Sequence, residues 1–341
     1  MIPYPRAIPN PRASSAPRGD IRYDAARPLC YTFFMITYLQ AVLLGVLQGV
    51  TELFPISSLG HSILLPALFG APLDVHASSM LEFLVATHFA TALALFIFYW
   101  NDWMKIIGGF FRSLGNWTLV SAPVAAAGGG RSGGSIHAKL AWLLIIGTIP
   151  AGLVGLIFKK KLEALFIDPH AVATILILNG VLLFVAEMTR RRTTKHRGSE
   201  TVALSPDERV RGGDARITGA LSWWRAFTVG IIQVLALFPG ISRTGATLSG
   251  GLWEGLSHED SLRFSFLLAT PIIGAAALLE LPKLVHAGGH LLVVSLVGAI
   301  VAGIAAWFSA KFLVRWFRTR TLMPFALWCA FIGVLGLIIV R

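Results

Sequence analysis

Two polar interruptions, about 185 positions apart, break stretches of this chain that are otherwise apolar enough for lipid. The first reads Gly45-Val-Leu-Gln48-Gly-Val-Thr51-Glu52-Leu-Phe-Pro55-Ile-Ser57-Ser58-Leu-Gly60-His61. The second reads Gly230-Ile-Ile-Gln233-Val-Leu-Ala-Leu-Phe238-Pro239-Gly-Ile-Ser242-Arg243-Thr244-Gly245-Ala-Thr247. Both run Gly-x-x-Gln, then apolar residues, then Pro-x-x-Ser. Polar groups in hydrocarbon cost free energy unless they bind something. Matching interruptions in two halves of a chain point to one site built between repeats.

Of the 341 residues, 55% are hydrophobic and 13% charged, where a soluble domain carries about a quarter charged. Apolar runs recur along most of the length and are continuous rather than alternating. The chain therefore reads as an all-α polytopic membrane protein and not as a membrane β-barrel. A net charge of +12 would suggest nucleic acid in a soluble protein. Here the basic residues sit between spans, where they fix topology, and no nucleic-acid partner is expected. Cys30 and Cys329 make neither a disulfide framework nor a metal cluster. Residues 1–37, rich in Pro and Arg and without a signal peptide's apolar stretch, read as a disordered tail.

The remainder divides into two repeats. Residues 38–188 hold a broken segment at 38–70 and spans near 80–100, 140–158 and 169–188. A basic linker follows at 189–221. Residues 222–341 hold a second broken segment at 222–256 and spans near 260–282, 290–310 and 322–340. Each half-segment beside Pro55 or Pro239 is about 16 residues, short of the roughly 20 a crossing needs. Two short helices joined by a Pro/Gly/Ser turn suit a re-entrant hairpin, while a single proline-kinked span is the plainer description. With hairpins, the loops at 101–139, 189–225 and 311–321 share one face. That face carries Lys105, Arg112, Arg131, Lys139, nine basic residues from Arg190 to Arg225, then Lys311, Arg315, Arg318 and Arg320. The positive-inside rule makes it cytoplasmic and puts both termini outside, with the five tail arginines opposing. Three spans per half is odd, so the repeats are inverted and their turns can meet near the midplane. The expected fold is thus six transmembrane helices plus two re-entrant helical hairpins.

Glu52 is a carboxylate in an apolar helix, with Gln48 one turn earlier on the same face. The pair suits a hard cation such as Mg²⁺ or Ca²⁺, and equally a hydrogen-bonded pair between helices. Ser57, Ser58 and His61 open the next half-helix, where the positive dipole end favours an anion. Ser58 offers a nucleophile and His61 a base, although two capping serines beside a packed histidine would look the same. Arg243, among Ser242, Thr244 and Thr247, shifts the balance. A guanidinium at midplane needs an anion, and the hydroxyls around it favour phosphate over Glu52 alone. Glu82, His88 and Thr91 form a weaker polar stripe, with His88 read as a packed core histidine.

At these residues the chain resembles the undecaprenyl-diphosphate phosphatase family, the bacitracin-resistance proteins of the BacA type. The resemblance covers about 38–341 and rests on Gln48-Gly-Val-Thr-Glu52 with Pro55-Ile-Ser-Ser-Leu-Gly-His61, and on Pro239-Gly-Ile-Ser-Arg-Thr-Gly-Ala-Thr247. Gly147-Thr-Ile-Pro150 and Phe264-Ser-Phe-Leu-Leu-Ala-Thr-Pro271 also look like family segments. It implies an integral phosphatase of the bacterial inner membrane that hydrolyses a C55 isoprenyl diphosphate to the monophosphate carrier used in cell-wall synthesis. It further implies a divalent cation and a site open to the periplasmic face, and a homodimer is compatible with it. By motif match Gln48 and Glu52 take the metal places, Ser58 the nucleophile and His61 the acid/base. Arg243 and Thr247 take the diphosphate contacts, and Ser57, Ser242 and Thr244 lie beside them. Gln48 stands where many members have Glu, Leu59 where Thr is common, and Thr244 where Ser is common. A serine nucleophile and a directly activated water both remain open. So does a flippase of the same architecture or a non-catalytic lipid-binding platform, which phosphate release in detergent with and without EDTA would separate.

Overall fold

A computed structural model describes residues 36–69, 78–121, 133–163, 168–196, 213–287 and 289–340. The expected tail, 1–37, lies outside these except for Ile36 and Thr37, as do residues 197–212 of the basic linker. All regular structure among the described residues is helical. In chain order the helices are α1 (Tyr38–Thr51), α2 (Ser58–Leu68), α3 (Ser78–Phe98), α4 (Trp100–Gly115), α5 (Thr118–Ser121), α6 (Gly133–Glu163) and α7 (Pro169–His196). There follow α8 (Gly213–Ala220), α9 (Trp223–Val234), a 3₁₀ turn at Leu235–Leu237, α10 (Arg243–Trp253), α11 (His258–Ala287), α12 (Gly289–Trp316) and α13 (Met323–Ile339).

Five of these are long and apolar enough to cross a bilayer: Ser79–Phe98, Ser135–Phe158, Pro169–Arg191, His258–Leu279 and Gly289–Trp316. They correspond to five of the six expected spans. The sixth, α13, is apolar but only 17 residues long. The outward surface is itself apolar, as in the exposed stripe of Leu296, Ile300, Ile304 and Phe308 at four-residue spacing on α12. Such a face is stable against lipid and unstable against water. The chain is a multi-pass membrane protein.

Two regions expected as loops contain helix. Residues 100–115 form α4, whose Trp103, Ile106, Gly109 and Ser113 are buried. A Cβ on Gly109 would lie 2.6 Å from Ala138 N, so α4 sits directly on the backbone of α6. The three- and four-residue spacing of those positions is a helical stripe hidden among polar residues. In the basic linker, α7 continues to His196, and α8 precedes α9 at a bend of 97°. Asp214 of α8 pairs with Arg263 at 2.8 Å, while Arg216 clasps Asp260 of α11. These ion pairs hold α8 against the bundle.

Small residues set the helix packing. α1 packs on α12 and α9 on α6, while α3 meets α11 and α7 meets α13. A Cβ on Gly45 would lie 2.6 Å from Gly298 O on α12, and one on Gly230 would overlap Gly147 O on α6. Likewise Gly180 of α7 abuts Ala326 O, and Gly333 of α13 abuts Ala173 O. In lipid, where burial gives helices no hydrophobic reward, such backbone approach supplies the attraction.

Candidate active site

The two interrupted segments form helix–turn–helix units whose turns touch. α1 ends at Thr51, and the chain turns through Glu52–Ser57 before α2 begins. Ser57 is the non-glycine residue with positive φ (71°) among the described residues. That conformation costs about 1–3 kcal/mol and is held only where surroundings enforce it. Here Ser57 caps α2 by accepting from Gly60 N, and its carbonyl accepts from His61 Nδ1 at 2.8 Å. In the second unit, Gly240 takes φ 109°, open to glycine without strain, and Ser242 caps α10 by accepting from Gly245 N.

Three cross-links join the turns. Ser242 Oγ donates to Phe54 O at 3.2 Å, and Thr244 Oγ1 donates to Glu52 O at 3.2 Å. Asn179 of α7, fully buried, donates through Nδ2 to Pro55 O and accepts at Oδ1 from Ser242 N, each at 3.0 Å. Between the turns lies a cavity of about 290 Å³. Glu52, Ser57, Ser58, His88, Ser242 and Arg243 line it, and both α2 and α10 begin at its wall. The first turn of a helix leaves backbone N–H groups unpaired and positive, so two such starts favour an anion.

Glu52 is the hub. Its Oε2 accepts from Ser58 Oγ at 2.6 Å and from Gln48 Nε2 at 3.1 Å, with His88 Nε2 at 3.3 Å. His88 Nδ1 is committed to Leu84 O at 2.7 Å, so its Nε2 meets the carboxylate with a proton between them. Across the cavity, Arg243 Nη1 stands 3.8 Å from Glu52 Oε1, inside ion-pair range but too long for a hydrogen bond. That Nη1 is buried without a hydrogen-bond partner, and so is Gln48 Oε1.

The structure thus brings Glu52, Gln48, Ser57, Ser58, Ser242 and Arg243 together, and it separates three other expected residues from the cavity. His61 does not reach Ser58. Its Nδ1 serves Ser57 O, its Nε2 accepts from Trp328 Nε1 at 2.8 Å, and the two rings stack. With both nitrogens engaged it braces the strained turn. Thr244 spends its hydroxyl on Glu52 O, and Thr247 spends its own on Arg243 O and Ser265 Oγ. His88, expected as a packed core residue, instead lines the cavity against Glu52. Asn179 drew no notice in the sequence, although an amide inside an apolar span was the available signal.

For a cation, the observation that counts is the orphaned Gln48 Oε1, a buried acceptor beside a carboxylate. No cluster of three or more His, Cys, Asp or Glu ligands occurs among the described residues. Two protein oxygens fit an ion that takes its other ligands from phosphate and water, as Mg²⁺ commonly does.

Residues 41–335 match the family model described as bacitracin resistance protein BacA. An undecaprenyl-diphosphatase of Mycolicibacterium paratuberculosis is 41% identical over 89% of this chain and 97% of its own length. Undecaprenyl-diphosphatase 2 of Burkholderia thailandensis is 46% identical over 86% and 93%, and that of Frankia alni 39% identical over 88% and 97%.

Proposed function

The chain belongs to the bacitracin resistance protein BacA family, and from that premise we propose that it hydrolyses undecaprenyl diphosphate to undecaprenyl phosphate and phosphate. The observation that carries this is the Ser58–Glu52 hydrogen bond facing Arg243 across a cavity walled by two helix starts. Carrying an anion needs the arginine and the helix ends. A hydroxyl donating to a carboxylate at 2.6 Å is what activating a nucleophile needs.

The terminal phosphate sits between Arg243 and the first turns of α2 and α10. Ser58 Oγ attacks its phosphorus while Glu52 Oε2 takes the serine proton. The anhydride P–O bond breaks, and undecaprenyl phosphate leaves with that oxygen. Glu52 passes that proton to the departing lipid phosphate. Water then attacks the phosphoserine, giving up a proton to Glu52, which returns it to Ser58 Oγ as inorganic phosphate departs. Arg243 pairs with the equatorial phosphate oxygens throughout. His88 holds Glu52 Oε2 toward Ser58, and His61 holds the Ser57 turn that presents it. Gln48 and Glu52 would hold a divalent cation, which when bound neutralises phosphate charge.

The same premise extends to topology. We read residues 38–196 and 223–339 as inverted repeats, each with a re-entrant hairpin and three spans. The glycine contacts support this, since Gly45–Gly298 and Gly230–Gly147 exchange halves, as do Gly180–Ala326 and Gly333–Ala173. The protein lies in the bacterial inner membrane, the basic loops are cytoplasmic, and the site opens outward.

The test is phosphate release from undecaprenyl diphosphate by the purified full-length chain in detergent. Release is expected, with loss on EDTA and recovery on Mg²⁺ or Ca²⁺. Absence of release under every metal condition would sink the assignment.

A further inference from the structure

A second polar cavity, of about 210 Å³, shares no lining residue with the first. It lies where Arg190 of α7, Ser257 and His258 at the start of α11, and Arg318, Thr319 and Arg320 after α12 converge. The spans Pro169–Arg191, His258–Leu279 and Gly289–Trp316 all terminate here. The cavity therefore sits at one membrane boundary, at the depth where hydrocarbon gives way to headgroups.

Its charges are not balanced from within. Glu187, buried at 1% exposure, is already saturated. Its Oε2 accepts from His258 Nε2 at 2.8 Å and from Leu322 N at 3.1 Å, and its Oε1 accepts from Arg191 Nε at 3.0 Å. The carboxylate lining the cavity is Glu259, which is shared between Arg216 and Arg318 at 3.7 Å each. Three guanidiniums, those of Arg190, Arg318 and Arg320, thus line the cavity with one divided carboxylate, while Glu187 behind it attracts Arg190. Arg320 lies over the Trp316 ring, 5.9 Å from its centroid, so the basic mouth adjoins an aromatic rim at the lipid edge. Guanidinium forks match phosphate oxygens, and basic pockets between spans are suited to lipid headgroups.

We propose that this cavity binds the phosphate of an anionic phospholipid headgroup, held by Arg190, Arg318 and Arg320. The acyl chains run along the adjoining apolar helix faces. The site is separate from the one that handles diphosphate, so its occupancy is independent of turnover.

The test uses the full-length chain in neutral detergent with phosphatidylglycerol, phosphatidylcholine or inorganic phosphate added, and reads the thermal unfolding midpoint. Phosphatidylglycerol is expected to raise the midpoint, and phosphatidylcholine is not. In the double variant R318A/R320A, apparent affinity for phosphatidylglycerol should fall about tenfold for each arginine removed. K311A/R315A, which removes exposed charges of α12 outside the cavity, should keep the full shift. If R318A/R320A does not fold, the single variant R320Q gives the same reading at lower amplitude. An undiminished lipid shift in R318A/R320A or R320Q would overturn the site. An equal shift from inorganic phosphate would overturn the lipid assignment.

Discussion

Replacing Asn179 by leucine removes a side chain that grips both turns at once. In the wild type its amide gives one hydrogen bond to Pro55 O and takes one from Ser242 N, both at 3.0 Å and fully buried. Leucine satisfies neither. A buried group left without its partner costs about 1–3 kcal/mol, so the pair sums to about 2–6 kcal/mol, against a total stability of about 5–15 kcal/mol. The consequence for chemistry is separate. Ser58 and Glu52 ride on the first turn and Arg243 on the second, so a loosened clamp lets them drift relative to one another. Misplacement of about 1 Å can cost on the order of 100-fold in rate. Asn179→Leu should therefore lower the unfolding midpoint and, at temperatures where it is still folded, cut kcat/KM by about tenfold or more. Asn179→Asp keeps the acceptor for Ser242 N but sets an oxygen against Pro55 O, so it should fall between the two. Phosphate release with undecaprenyl diphosphate, paired with thermal unfolding, measures both. A folded Asn179→Leu protein with wild-type kcat/KM would refute the clamp.

Four further outcomes follow from named contacts. A Cβ at Gly49 would overlap Ala302 O and lie 2.7 Å from Ala305 Cβ, so Gly49→Val should destabilise by at least about 1–3 kcal/mol, seen as a lower unfolding midpoint. Glu52→Gln removes the acceptor of the Ser58 proton and should cost about 10²–10⁴ in kcat. Trp328→Phe frees only His61 Nε2 and should cost under about tenfold, and a loss as large as that of Glu52→Gln would restore His61 as the base. His88→Gln keeps a donor toward Glu52 while His88→Leu does not, and the leucine variant should turn over about tenfold more slowly, one charge-assisted hydrogen bond apart. Equal rates would remove His88 from the site.

Some of this was written locally. Thr37 and Gln40 make a capping box that starts α1, and Ser57 and Ser242 cap the helices after each turn. Run length and charge placement marked five spans that the structure bears out by length and apolarity. α4 escaped because its apolar stripe is diluted by Asp102, Lys105 and Arg112, so hydrophobic run length misses what burial against α6 reveals. The partners of His61 were hidden for a related reason. Three positions from Ser58 on a helix it should share a face, yet its ring curls back to Ser57 O and is pinned by Trp328, 267 positions away.

By itself the sequence determined that the chain lives in lipid, where two turns interrupt it and which polar types are stranded there, because solvent preference, cap chemistry and proline are properties of neighbouring residues. Only the tertiary structure decided which of those groups face one another. Glu52 meets Ser58 across a turn, His88 from α3 and Arg243 from the far half, and Asn179 ties the halves together from α7. Hydrogen bonds and ion pairs act over about 3–4 Å of space regardless of separation along the chain, so the partners of a buried charge are fixed only once the helices have packed.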